Sequence, residues 1–247
     1  MTLPVAVQLF TLREETEQDF KGTLREVAKV GYEGVEFAGF GGLTADEVKD
    51  LLEETGLKPA ASHVPIDQLR DNLDDTIAFH QAIGCTRLVC PYLDEEDRDS
   101  ITAYEAVIGD LRRIADACSK EGISLSYHHH DFELKPIETV IPLKKIWNTP
   151  GIQAEIDIYW LVKAGENPVE WIKKYADSTE LIHLKDMTTD GTEDFAELGT
   201  GGIDVEACVR EAEKAGVQWL IVEQDQSRIG AMKSIKKSYE HLTSSVL

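Results

Sequence analysis

Six times along the chain a helix-like segment runs into a glycine and then at once into an apolar stretch: "KVGYEGVEF", "ETGLKPAAS", "AIGCTRLVC", "KEGISLSYH", "TPGIQAEID" and "KAGVQWLIV". The glycines are Gly31, Gly56, Gly84, Gly122, Gly151 and Gly216. A helix that turns into a strand through a left-handed residue asks for glycine there, because a Cβ resists positive φ. The opening run, residues 5–10, and "TELIHLKD", residues 179–186, complete a set of eight strands. Between them lie segments such as "DFKGTLREVAKV", "TADEVKDLLEET" and "YEAVIGDLRRIADACSK", with apolar residues three and four apart. Thr44 is placed to cap the second of these. Strict alternation with no linker or low-complexity stretch predicts one α/β domain over residues 1–247, built on a parallel sheet. Eight units point to a closed (β/α)8 TIM barrel. An open doubly wound sheet would carry a glycine-rich first loop, and "VQLFTLREE" has none.

Composition narrows the partners. With 42% hydrophobic and 29% charged residues the chain has the makings of a large core. Its net charge of −21 repels phosphate backbones and anionic headgroups, so neither nucleic acid nor membrane is expected as a partner. Cys85, Cys90, Cys118 and Cys208 form no C-x-x-C pair, which suits reduced, buried thiols in a cytoplasmic protein. The start, "MTLPVAVQLFTLREE", lacks a basic leader and a cleavage site and reads as a first strand. No apolar run approaches the ~20 residues that span a bilayer.

In such barrels chemistry sits at the C-terminal strand ends, where side chains alternate between the barrel interior and the helix layer. In "ISLSYHHHDFEL" the larger apolar set, Ile123, Leu125 and Tyr127, is assigned to the helices. Ser124, Ser126, His128 and His130 then point inward, and His129 points outward as a satisfied histidine. The same parity sends Glu155 and Asp157 of strand six, His183 and Lys185 of strand seven and Glu223 of strand eight inward. Gln8, Glu36 and His63 end strands one to three, and Glu133 follows strand five at the rim. His63 alone reads as a structural hydrogen-bonding residue, and His80 and His241 as plain helix residues. Acids and neutral imidazoles from successive strands suit one divalent cation: Mn²⁺, Co²⁺, Mg²⁺ or Zn²⁺.

These residues, with "VQLFTLRE", "GYEGVEFAGFGGL", "SYHHHDFE", "EIDIYWLVKAGENP" and "IHLKDM", resemble the xylose isomerase-like barrels. That is the sugar phosphate isomerase/epimerase group, which also includes endonuclease IV. The resemblance implies metal ligation by Asp157, His183 and Glu223. Ketose epimerases of the group carry a Glu inside strand five, where this chain has Tyr127. A His-Asn-His sub-group is closer, with His129 in the Asn position. The fourth ligand expected from this is Glu133, with His130 in reserve. The implied activity is a metal-dependent isomerase or epimerase that removes a proton next to the carbonyl of a ketose or keto-sugar, phosphorylated or not, through an enediolate. A keto-sugar dehydratase or lyase, such as an inosose dehydratase or a 3-keto-glycoside eliminase, is the second reading. A DNA-repair endonuclease and a non-catalytic sugar-binding barrel rank below both. Glu133, Glu223, His128 and His130 are the candidate proton movers. Lys185 is expected to hold the enediolate oxygen, while Gln8, Glu36, His63 and Trp160 line the substrate site and Phe37 adds an apolar wall. Barrels of this type often self-associate through their helical faces, so a homo-oligomer is also an expectation.

Overall fold

The structure, a computed structural model, describes residues 2–247. Eight strands close into a parallel barrel: β1 (Val5–Gln8), β2 (Gly34–Ala38), β3 (Lys58–His63), β4 (Arg87–Cys90), β5 (Ser124–His128), β6 (Ile152–Asp157), β7 (Thr179–Leu184) and β10 (Trp219–Val222). Around the barrel they run β1-β10-β7-β6-β5-β4-β3-β2, each paired in parallel with its neighbours. Two short strands, β8 (Asp186–Met187) and β9 (Phe195–Ala196), form an antiparallel hairpin after β7 that the repeat pattern did not announce.

The helices are α1 (Arg13–Val30), α2 (Ala45–Thr55), α3 (Ile66–Asp71), α4 (Leu73–Ala82), α5 (Glu95–Arg98), α6 (Ile101–Lys120), α7 (Pro142–Trp147), α8 (Ile158–Lys163), α9 (Pro168–Lys174), α10 (Val205–Ala215) and α11 (Ala231–His241). All six junction glycines have positive φ, from 73° at Gly56 to 115° at Gly31. Thr44 closes a capping box on α2: its Oγ1 accepts from the Glu47 amide, and the Glu47 carboxylate accepts from the Thr44 amide.

The parity read from the sequence holds. Leu125 and Tyr127, Ile156, Ile182 and Leu184, and Leu220 and Val222 join the large core between strands and helices. Inside the barrel a small separate cluster packs Ala6, Ala60, Ala61, Val89, Leu181, Trp219 and Ile221. Small residues dominate it, which leaves the upper barrel to polar side chains. Two register shifts interrupt the strand pairing. One extra residue of β3 sits opposite the Val35–Glu36 step, and one of β7 sits opposite the Ala154–Glu155 step. A bulge re-aims the strand beside it, and both occur where a buried glutamate enters the interior. The four thiols are free and buried, as expected. No helix among the described residues is long and apolar enough to cross a membrane.

Candidate active site

The histidine triplet divides as the alternation requires. His128 ends β5 facing the interior. His129 faces the helix layer, fully buried, with its ring edge-on to Trp147 at 5.1 Å. The Asp157 amide donates to His129 Nε2 (3.1 Å), so the proton sits on Nδ1 and goes to the His130 carbonyl (3.1 Å). Burial, with His128 alongside, pushes the His129 pKa down to about 3, and the ring stays neutral. His130 sits in an aromatic sandwich, stacked on Phe132 at 5.3 Å and edge-on to Tyr92 at 5.3 Å. Its Nδ1 has no hydrogen-bond partner among the described residues.

Glu133 is not where the family likeness put it. Its carboxylate folds back on its own turn, accepting from the Tyr127 hydroxyl (2.7 Å) and the His130 amide (2.8 Å). Tyr127 faces the helices, so this carboxylate is drawn to the outer side of β5, away from Asp157, His183 and Glu223. Burial pushes its pKa up to about 7 against those two donors. Glu133 therefore holds the turn together, and the fourth corner of the expected ligand set falls to His128.

Donor atoms of His128, Asp157, His183 and Glu223 lie within 4.8 Å of one another. His128 directs Nδ1 to the Pro91 carbonyl (3.3 Å), which leaves Nε2 facing Asp157 Oδ2 at 3.4 Å. Asp157 caps α8 with Oδ1, accepting from the amides of Tyr159 (2.9 Å) and Trp160 (3.2 Å), and turns Oδ2 to the centre. His183 Nδ1 meets Glu223 Oε2 at 2.8 Å. Lys185 Nζ lies 3.0 Å from Asp157 Oδ2, 2.6 Å from Glu223 Oε2 and 2.9 Å from Asp225 Oδ2. Burial alone would raise the Asp157 and Glu223 pKa values. Lys185, with the histidines, holds both well below the carboxylate range.

Below this group lies a second one that shares His183: Glu36, His63, Glu155 and His183, again within 4.8 Å. His183 Nε2 meets Glu36 Oε2 at 2.6 Å, and His63 Nε2 meets Glu155 Oε2 at 2.8 Å. Gln8 Nε2 donates to Glu36 Oε2 (2.8 Å), while Gln8 Oε1 accepts from the Phe10 amide (2.9 Å). Burial, reinforced by the charge of Glu155, raises the Glu36 pKa to about 7. His183 and His63 outweigh burial at Glu155 and hold it low. His183 is thus oriented from beneath by a carboxylate, the arrangement that fixes the tautomer of a metal-binding imidazole.

A cavity of about 630 Å³ opens above the upper group. His63, His128, His130 and Glu223 of the expected site residues line it, and so does Asp225, which the reading of the sequence missed. Asp225 stands two residues beyond Glu223, so the same parity, carried one step further, would have found it. Gln8, Glu36, Lys185 and Trp160 do not line the cavity. The first two lie beneath the site with no exposed surface, bonded to each other. Lys185 is enclosed by three carboxylates, and Trp160 packs behind His130 at 5.1 Å. Phe37, also fully buried, packs on Phe40 in the helix layer and forms no wall.

The loop after β7 is fastened by Asp186, the residue that follows Lys185. Its carboxylate accepts from the amides of Met187, Gly199, Gly201 and Ile203 at 2.8–3.1 Å. A Cβ on Gly201 would come within 2.2 Å of the Met187 carbonyl, so only glycine passes there.

Two carboxylates and two imidazoles, with lone pairs converging on one point and partners behind them, form a donor set that fits a divalent ion. The family model of the xylose isomerase-like TIM barrel matches residues 24–245. The inosose dehydratase of Clostridium botulinum is 23% identical over 85% of this chain and 83% of its own length. A sugar phosphate isomerase/epimerase from Parabacteroides distasonis superposes with a TM-score of 0.84, at 22% identity, covering 98% of each chain. A D-allulose 3-epimerase from Methylomonas sp. superposes with a TM-score of 0.71 at 13% identity, covering 98% of this chain and 99% of that one.

Proposed function

The chain belongs to the xylose isomerase-like TIM barrel family, and from that premise we propose that it is a divalent-metal-dependent lyase acting on a keto-sugar. In this reading a proton leaves the carbon next to the carbonyl, and a β-oxygen substituent is then expelled. The convergence of His128, Asp157, His183 and Glu223 beneath a cavity carries the reading. These four residues would hold the ion. When bound, it supplies the positive charge that acidifies the α-proton and offsets the charge of the enolate.

The remaining roles depend on which cavity-lining groups are free. His63 is paired with Glu155, His128 with Asp157, and Glu223 with His183 and Lys185. His130 lines the cavity and makes no ion pair among the described residues, so it is the group assigned to take the α-proton. Asp225 places one carboxylate oxygen on Lys185 and reaches the cavity from the opposite side of the mouth. It is assigned to accept a hydrogen bond from a sugar hydroxyl, and the proton taken by His130 passes to the departing oxygen. Lys185 touches no cavity surface and acts by positioning the three carboxylates.

The inosose dehydratase relatives support elimination over the isomerisation that the sequence put first. Isomerisation or epimerisation stands as the second reading. It is favoured by one observation: His130 and Glu223 approach the cavity from strands separated by β6 and β7, so one can take a proton while the other returns it.

The test incubates the enzyme with Mn²⁺ in D2O with an inosose and with a 3-keto-glucoside. Growth of enone absorbance, lost on chelation, is the expected result. Deuterium uptake with a new isomer and no enone would hand the assignment to isomerisation. Neither signal with any keto-sugar would sink the proposal.

A further inference from the structure

The two sides of the cavity differ in chemistry. The ends of β5 and β10 supply His128, His130 and both carboxylates, while the β1 to β4 side supplies Phe10, Phe40, Val64, Pro65, Pro91 and Tyr92, with His63 and Gln68 its polar exceptions. Among the described residues no lysine or arginine lines it. Phe10 and Tyr92 are two of three large apolar side chains left conspicuously exposed, at 43% and 42%. Both are held in place. The Arg13 guanidinium lies 4.5 Å over the Phe10 ring and donates to the carbonyls of Phe10 and Asp225. Arg98 donates to the Tyr92 hydroxyl (3.2 Å) and lies 4.0 Å over Phe132. Exposed aromatic rings pinned beside a catalytic mouth have already lost the freedom that a ligand would otherwise have to restrict.

Size and charge restrict what can fill this space. A hexose occupies roughly 200 Å³ at the packing density of organic crystals, so a cavity of about 630 Å³ holds a sugar ring and a second group of similar size. With two carboxylates and no lysine or arginine in the lining, no basic side chain is placed to pair with a phosphate on that second group, which favours a neutral one.

We infer that the substrate is a neutral keto-glycoside whose aglycone is apolar, with the sugar over the metal ligands and the aglycone against Phe10, Phe40 and Tyr92. This rests on the lyase reading and names its leaving group as an alcohol or phenol. With the carbonyl at C3, the C2–H bond breaks and its proton goes to the base. The electron pair left behind becomes the C1–C2 double bond as the C1–O bond breaks, and the departing oxygen is protonated. Glycoside becomes enone plus alcohol, with no change in overall oxidation state and no co-reactant.

The experiment compares methyl and benzyl 3-keto-β-D-glucopyranosides, whose leaving alcohols are nearly equal in acidity, so that a difference reports binding rather than leaving-group ability. The benzyl glycoside is expected to show a kcat/KM at least about tenfold higher, the scale of burying an aromatic ring. Phe10→Ala and Tyr92→Ala, both at exposed positions, should bring that ratio several-fold closer to one, with melting curves confirming that each variant is folded. The 6-phosphate of the methyl keto-glucoside should be turned over at least about tenfold more slowly than its neutral parent. Elimination from an inosose or the methyl glycoside with a benzyl-to-methyl ratio near one, or preference for the phosphorylated sugar, would overturn the aglycone inference while leaving the lyase reading intact. No elimination or exchange with any keto-sugar would remove both.

Discussion

The two carboxylate–histidine groups that share His183 are built from the same residue types, two acids and two imidazoles each, and differ in what surrounds them. The lower group has no lysine. Its acids settle their charge between themselves: Glu36 is raised to about 7 while Glu155 is held low by the two histidines. It is sealed by Gln8 from beneath and by His63 toward the cavity. The upper group packs Asp157, Glu223 and Asp225 around one ammonium and opens on the cavity. Three acids against one lysine leave a surplus of negative charge that a divalent ion would neutralise. The difference teaches that a cluster of potential ligands is not by itself a metal centre. A charge left over and a path from solvent separate the two.

The sharpest way to break this comparison is Glu223→Gln. It removes an upper-group charge while keeping the shape, and should cost at least about a hundredfold in both metal affinity and turnover, more than the 10–100-fold typical of an orienting residue. Metal content by emission spectrometry and enone formation read it together, and a variant that keeps its full metal complement would remove Glu223 from the ligand set. Chelation of the intact protein comes next. Stripping the ion should lower stability by about 3–4 kcal/mol relative to protein held at a hundred to a thousand times the dissociation constant, seen as a fall in Tm that added Mn²⁺ reverses. An unchanged Tm would mean that neither group binds an ion.

Glu36→Gln sharpens the comparison from the other side. In the proposed arrangement the lower group orients His183 and the upper one ligates, so metal affinity should fall by roughly 10–100-fold and not be abolished. Loss as complete as in Glu223→Gln would move the ion down to Glu36.

The smallest effect is expected at Glu133, which lies outside both groups. Its folded-state pKa of about 7, against an ordinary value of 4.5, means that the folded protein holds this proton more tightly than the unfolded chain. The stability it contributes is complete below pH about 4.5 and is lost as pH rises through about 7. Glu133→Gln removes that dependence, so the variant should gain on the parent by about 2–3 kcal/mol in unfolding free energy between pH about 5 and pH about 8. Its metal content should not change, and a loss of metal would restore Glu133 to the ligand set.

Much of the barrel could be read from the chain because its signals are local. Each glycine reports one helix end, and each alternation reports which way a side chain faces, so β5 to β7 and β10 were oriented correctly residue by residue. The misplacements share a cause. Glu133 was assigned to the rim by its position in the chain, and it was Tyr127, on the other face of β5, that claimed it. Gln8 does end β1, but Glu36 lies in the middle of β2, two residues short of its end, and the two bond beneath the site. Trp160, in the first turn of α8, and Phe37, in β2, are taken into packing behind the wall they were expected to form.

The amino-acid order by itself determined the period, the barrel and the set of side chains that can enter its mouth, since φ preference and side-chain alternation act over a few residues. Only closure of the sheet decided which of those side chains meet. His183 is bonded to a glutamate 147 residues away, through strands bent by bulges, and no local rule measures such a distance. Which acid faces a cation, which shares a proton and which turns back on its own loop is settled by neighbours that the folded chain alone brings together.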